Sequence, residues 1–285
     1  MVCRYQKEEN KQVKLTILGT AAAEGWPATF CTCEACRGAR KLGGHNIRRR
    51  ASYQLGDTIH IDWGPDSYNS MISFGLDYSE LAHLLVTHAH WDHWVPNELR
   101  WRCPGFSRLA PTAHLNIYGN AMVQDRMSIE LEGELADCAM SFELIEPFEV
   151  LNLGDDVMVT PLPAAHAPDQ EAFIFHLDVD GTEVLIGHDS GWFLDEVFDH
   201  LATAQLKLVL LDCTYGTNDR REGHMGGMAV VETAERLRML GAAAPDCRII
   251  ATHFSHNCLK THDELAEFFA PHGIEVAYDG MEFEL

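Results

Sequence analysis

Four side chains that can hold a metal ion crowd into six residues of this chain. His88, His90, Asp92 and His93 follow directly on the apolar run Leu84-Leu85-Val86. Imidazole and carboxylate are the ligand types that Zn²⁺, Mn²⁺ and Fe ions share. A branched, apolar run reads as a buried strand, so these ligands collect at a strand end. Alternation turns His88 and His90 to the same side of an extended segment. Asp92 and His93 sit in the turn that follows and can face a second point close by. That arrangement suits two cations, which together lower the pKa of water and offset charge developing on a phosphoryl group.

Two metals need further ligands, and later strand ends supply candidates. His166 lies just past the strand-like Val157–Pro161, and His253 closes Arg248–Thr252 in the way His88 closes its own strand. Asp189 ends the run Ile186-Gly187-His188-Asp189, and its two oxygens could bridge both ions. Its neighbour His188 is turned away by alternation, so the ligand is assigned to Asp189. A second cluster, Cys31-Thr32-Cys33-Glu34-Ala35-Cys36, offers three thiols to a structural Zn²⁺, which prefers four N or S ligands. The fourth ligand is missing locally. His224 stands in Glu222-Gly223-His224-Met225-Gly226-Gly227, before the helical pattern Met228–Leu240. There it could donate a proton to a phosphate ester or position it, and Asp92 could combine ligation with proton handling.

Composition narrows the partners. The 285 residues carry 43 acidic against 21 basic side chains, a formal net charge of -22. Such a field repels a long phosphate backbone, so extended nucleic acid is not expected, while a small anionic substrate remains compatible with bound dications. Nine cysteines, an odd count, and a polar N-terminus without an apolar core point away from a secreted disulfide framework. No run spans a bilayer, and the chain reads as a cytoplasmic protein with no membrane partner. Its oligomeric state is left open, a homodimer included.

Strand and helix patterns alternate through both halves. Strands are expected at Val13–Leu18, Tyr53–Leu55, Thr58–Asp62, His83–Thr87, Leu115–Tyr118, Val157–Pro161, Phe173–Val179, Glu183–Ile186, Leu206–Leu211, Arg248–Thr252, Glu275–Tyr278 and Met281–Phe283. Helices are expected at Ser67–Phe74, Asn97–Arg102, Asn120–Glu132, Trp192–Leu201, Met228–Leu240 and Asp263–Phe269, with a short one within Cys31–Leu42. The pattern predicts an α/β protein: a polar tail over 1–12, then one domain over 13–285 built from two similar halves, two sheets between helices. Arg48-Arg49-Arg50 reads as a solvated loop, and Trp91, Trp94 and Trp101 as core or pocket wall.

The pattern T-H-x-H-x-D-H, followed by His, Asp and His at later strand ends, resembles the metallo-β-lactamase superfamily. The resemblance implies an αββα sandwich of two mixed sheets flanked by helices, with a dinuclear site along one edge. It places His88, His90 and His166 on one metal, Asp92, His93 and His253 on the other, and Asp189 between them. Asp62, in Ile61-Asp62-Trp63-Gly64, would orient a ligand.

Leu18-Gly19-Thr20, Glu24-Gly25-Trp26-Pro27 and the C-x-C-x-x-C motif are similar to the PhnP family of phosphoribosyl cyclic phosphodiesterases. That likeness extends to Tyr278-Asp279-Gly280-Met281-Glu282 and so covers nearly the whole chain. It departs at Ala21-Ala22-Ala23, where the family often has glycines, which puts the flexibility of that loop in question. It implies a structural zinc on Cys31, Cys33, Cys36 and His256, and an essential histidine at His224. Two active-site divalent metals, Mn or Zn with Fe also open, would then hydrolyse a small cyclic diester such as a phosphoribosyl 1,2-cyclic phosphate. The alternatives are a tRNA 3′-processing endonuclease-like hydrolase, a PqqB-like cofactor-biosynthesis protein, and a non-catalytic metal- or redox-binding protein.

Overall fold

A computed structural model describes residues 13–132, 137–154 and 156–285, so the tail expected over 1–12 lies outside the described residues. The first half runs β1 (Lys14–Gly19), α1 (Glu34–Leu42), β2 (Ser52–Leu55), β3 (Ile59–Ile61), α2 (Ser67–Phe74), β4 (His83–Leu85), β5 (Leu115–Gly119), α3 (Ala121–Glu130) and β6 (Met140–Leu144). The second runs β7 (Leu151–Asn152), β8 (Val157–Pro163), β9 (Phe173–Val179), β10 (Thr182–Gly187), α4 (Asp195–Leu201), β11 (Leu206–Asp212), α5 (Gly227–Leu240), β12 (Ala243–Thr252), α6 (His262–Phe269) and β13 (Glu275–Val276). A last strand, β14 (Met281–Glu284), returns to the first sheet, antiparallel to β1, with Ile17 opposite Met281.

Each sheet has seven strands, in the orders β14-β1-β2-β3-β4-β5-β6 and β13-β12-β11-β10-β9-β8-β7. Three packed clusters make the layers. Leu15, Ile17, Tyr53 and Ile61 of the first sheet meet Val159, Phe175, Leu177, Ile186 and Leu210 of the second. The second sheet's other face packs on Val197, Phe198, Val230 and Leu237 from α4 and α5, and the first sheet's other face on Trp94, Val123 and Met127. This is the αββα sandwich.

The β11 strand shows why the central strands read as unbroken apolar runs. Leu208 and Leu210 point between the sheets, while Val209 and Leu211 point at the helices, so both faces are dry. Phe175 is fully buried in the middle layer, and truncation to Ala there would cost about 3–5 kcal/mol.

The strands β3 to β6 are mutually parallel, and so are β10 to β13. Parallel neighbours end at one edge, where a twisted α/β sheet leaves its crevice. His88, Asp189, Asp212 and His253 all follow or close such ends.

Several expectations need correction. Residues Pro96–Arg102 form a 3-10 helix, not an α-helix, and β6 was not foreseen, because Met140–Leu144 lacks clean alternation. Arg48 is buried, with its guanidinium on Thr20 Oγ1 and Ala277 O, and Arg49 and Arg50 pair with Asp279 and Asp66. The loop is therefore a structural hub and not a solvated run. Trp94 is core, but Trp91 and Trp101 are 69% and 52% exposed. Cys103 and Cys138 are joined as a disulfide, a pairing that the odd cysteine count gave no reason to expect. Among the described residues, no helix is long and apolar enough to cross a membrane.

Candidate metal centre

At the shared carboxyl edge, seven side chains converge on two adjacent points. The first gathers His88, His90, His166 and Asp189, and the second Asp92, His93, Asp189 and His253; in each, the ligand atoms lie within 4.8 Å of one another. His90 Nδ1 lies 2.8 Å from His88 Nε2 and 3.1 Å from His166 Nε2. Nitrogens held by one ion in a tetrahedron would sit about 3.3 Å apart, so the three rings already present a cation-sized corner. At the second point, His93 Nε2 is 2.9 Å from both Asp92 Oδ2 and Asp189 Oδ2, and His253 Nε2 is 3.8 Å from Asp189 Oδ2. Asp189 is common to both groups.

Whether these residues fit a cation can be judged from their buried polar atoms. Asp189 Oδ1, His93 Nε2 and His253 Nε2 are buried and make no hydrogen bond. Close approach without hydrogen-bond geometry is costly for buried polar groups unless another partner satisfies them. All three atoms belong to the convergent sets, and the donor set fits divalent metal.

The second ring nitrogens explain why the first ones are aimed. His93 Nδ1 lies 2.7 Å from Asp62 Oδ2, His88 Nδ1 lies 3.0 Å from Thr87 Oγ1, and His166 Nδ1 lies 3.1 Å from Gly223 O. His253 Nδ1 is held by Thr214 Oγ1 at 2.9 Å and Asp212 Oδ2 at 3.0 Å. A partner on one nitrogen sets the tautomer and leaves the other free for metal. His188 faces Asp62 at 2.9 Å, away from both points. Burial alone would raise Asp189, but His253, His224, His93 and His88 hold its carboxyl well below the usual range. Burial opposes the imidazolium of His93, yet Asp92 and Asp62 lift it well above an ordinary histidine.

Backbone geometry is spent on this edge. Asp62, Asp189 and His253 adopt φ of 63°, 56° and 59°, left-handed conformations that cost non-glycine residues energy and concentrate at functional sites. Gly64 lets the ligand loop close over the first sheet: a Cβ there would meet Asp92 O at 2.1 Å.

His224 joins the same cluster. Its Nδ1 lies 3.1 Å from Asp189 Oδ1, 3.3 Å from Asp212 Oδ2 and 3.2 Å from Thr214 Oγ1. Burial opposes its charge, but the two carboxylates raise its pKa to about 11. It lines a cavity of ≈ 270 Å³ together with Glu24, His90, Asp92, His166 and Asp189. Asp212, which the sequence reading passed over, is fully buried beneath it. Its Oδ1 accepts from the backbone N–H groups of Thr214 (3.1 Å) and Met225 (2.8 Å). Burial works against its charge, but His224 and His253 bring its pKa down to about 2. The only sequence signal was a carboxylate ending the buried β11 strand.

The cysteine motif forms a separate cluster. Cys31, Cys33, Cys36 and His256 come together, with His256 Nδ1 3.4 Å from Cys33 Sγ and 3.7 Å from Cys31 Sγ. Ligands of one tetrahedral zinc would place such an S and N about 3.5 Å apart. Three backbone N–H groups point at the sulfurs: Cys33 N at Cys31 Sγ, Cys36 N at Cys33 Sγ and Ala28 N at Cys36 Sγ. Cys33 also caps α1, so the motif both starts a helix and turns its thiols inward.

The αββα sandwich and this edge cluster define a metallo-β-lactamase-fold hydrolase, and the chain matches the model of the beta-lactamase superfamily domain over residues 58–254. It belongs to that family. In fold it is similar to a diphosphatase from the PhnP family, at 22% identity and TM-score 0.77, covering 96% of this chain and 98% of that one. It is also similar to Zn²⁺-bound PqqB from Methylobacterium extorquens, at 16% identity and TM-score 0.73, over 95% and 100% of the two chains. A third is the short form of human tRNase Z, at 16% identity and TM-score 0.66, over 95% and 98%. No curated protein matches the chain.

Proposed function

We propose that this chain is a dinuclear phosphodiesterase acting on a small anionic diester of the phosphoribosyl 1,2-cyclic phosphate kind. The observation that carries the reading is the convergence of seven candidate ligands on two points that share Asp189, beside a cavity walled by His224. His88, His90 and His166 would hold one divalent ion, Asp92, His93 and His253 the other, with Asp189 between. Zn, Mn and Fe all suit this donor set. When bound, two such ions supply Lewis-acid activation of water and of the phosphoryl oxygens. Cys31, Cys33, Cys36 and His256 would hold a structural zinc.

The chain's own residues supply the rest. Asp62, Thr87, Thr214 and Asp212 hold the ligand rings in one tautomer, so little rearrangement is needed on metal entry. With its Nδ1 committed to carboxylates, His224 has Nε2 left to carry a proton toward the leaving oxygen. Asp92, on the cavity wall, can share proton handling.

Cavity size and lining favour a small substrate. At ≈ 270 Å³ the cavity suits a sugar phosphate, and neither Lys nor Arg is among its lining residues. A precursor tRNA would need a basic track, which the net charge of -22 opposes. The PhnP-family neighbour is described as a diphosphatase, so a diphosphate bond belongs in the comparison. The test is a panel with added Mn²⁺ or Zn²⁺: a five-membered cyclic sugar phosphate, a linear diester, a diphosphate, a monoester and precursor tRNA. Diesters should lead and monoesters trail, because a monoester brings extra charge to be desolvated. Efficient tRNA cleavage without turnover of the cyclic ester would overturn the reading.

A further inference from the structure

The cysteine cluster and the reaction cavity meet at one side chain. Glu24 lies in the loop between β1 and α1, seven residues before Cys31, and its side chain lines the cavity beside His90, Asp92 and His224. One of its carboxylate oxygens, Oε1, accepts a hydrogen bond from Ser255 Oγ and lies 3.4 Å from His256 Nε2. The other nitrogen of that ring, Nδ1, faces Cys33 and Cys31. An unbroken line therefore runs from thiols through imidazole to carboxylate to cavity. Ser255, which donates to Glu24, also lines the cavity and is two residues from His253 of the second metal point.

We infer that Glu24 is a positioning residue through which occupancy of the cysteine site sets the shape and affinity of the reaction cavity. A metal on Nδ1 requires the imidazole proton on Nε2, where it meets a carboxylate; this is the carboxylate–histidine–metal relation that orients a ligand and strengthens it. Together with the Ser255 hydroxyl, the same contact holds a carboxylate at the edge of a cavity meant for an anion. With the cysteine site empty, His256 can take its other tautomer and present a lone pair to Glu24. The carboxylate then keeps the Ser255 hydroxyl as a donor but loses the imidazole N–H, so it is held less firmly and its negative charge is less offset at the cavity wall. Linkage makes the effect reciprocal: whatever the cysteine-bound metal does for anion binding, the anion does for the metal.

The inference rests on the metal reading of both clusters, and the experiment separates the two. Wild-type holoenzyme, Glu24→Gln and Cys33→Ser are compared by elemental analysis, by zinc release with a thiol-reactive mercurial, and by KM and kcat on a phosphodiester. Glu24→Gln should release cysteine-bound zinc after about 10- to 100-fold weakening, and KM should shift several-fold while kcat is largely kept. Inorganic phosphate should slow zinc release in the wild type and have no effect in Glu24→Gln. Cys33→Ser should reproduce the KM shift, and the double variant should add nothing to it. If Cys33→Ser does not fold, mercurial-stripped wild type takes its place. Wild-type zinc release in Glu24→Gln, or KM shifts that add in the double variant, would overturn the coupling. A wild-type protein with no sulfur-bound metal would instead overturn the cluster reading itself.

Discussion

Asp212→Asn places the second metal point in a bind that can be worked out from its hydrogen bonds. Asp212 Oδ1 accepts from two backbone N–H groups, at 3.1 and 2.8 Å, while Oδ2 faces His253 Nδ1 at 3.0 Å. For His253 Nε2 to bind metal, Nδ1 must carry the proton and donate it. An asparagine that keeps its oxygen on the backbone amides presents its NH₂ to that N–H, donor against donor. His253 then has only Thr214 Oγ1 left to accept its Nδ1 proton, and loss of the carboxylate as an orienting partner costs about 10- to 100-fold in metal affinity, or about 1.4–2.8 kcal/mol. An asparagine flipped the other way keeps His253 but strands two buried amides, about 1–3 kcal/mol of stability each. The assay is a chelator-competition titration of both active-site metals alongside thermal unfolding of the metal-free protein. The metal at His88, His90 and His166 should be held as in the wild type, since Asp212 is not in that group. Wild-type affinity at both points together with wild-type stability would refute the argument, because neither orientation of the amide permits it.

Three further outcomes are expected. His224→Ala should keep both metals yet lower kcat by about 10²–10⁴-fold, the range for a lost general acid; unchanged turnover would make it a wall residue only. Gly64→Ala drives a Cβ to 2.1 Å from Asp92 O, a clash no rotamer relieves. The ligand loop must shift, with about 1–3 kcal/mol of stability and the second metal lost, so full metal content in that variant would contradict the packing argument. Asp279 is raised to about 6 by burial, against the pull of Arg49, Thr20 and Arg48. A carboxyl raised on folding gives stability that is complete below its ordinary value of 3.8 and is lost as pH climbs through about 6. Between pH 4 and 7 the stability of wild type relative to Asp279→Asn should fall by about 2 kcal/mol, and a flat difference would contradict the assignment.

Much of the architecture was legible because periodicity is a local signal. Strand runs such as Leu206–Leu211, the Ser67–Phe74 helix and the hairpin across Asp180-Gly181 announce themselves within ten residues. The clustered residues of the centre were legible too: ligand chemistry confines His, Asp and Cys to a few types, and strand ends are where they accumulate. What needed the folded chain was everything held by contacts between distant segments. Asp212 looks like any strand-end carboxylate until β11 sets it under His224 and His253. Arg48 looks solvated until Thr20 and Ala277 close over it from opposite ends of the chain. Cys103 and Cys138 meet only because the chain between them folds back on itself. Glu24 gains its neighbour from a loop 232 positions further along, at His256. Sequence alone determined which side chains can ligate and which elements carry them, since both depend on residue type and short-range order. Tertiary structure alone decided which atoms face one another, since tautomer, burial and charge are properties of a neighbourhood assembled from both ends of the chain.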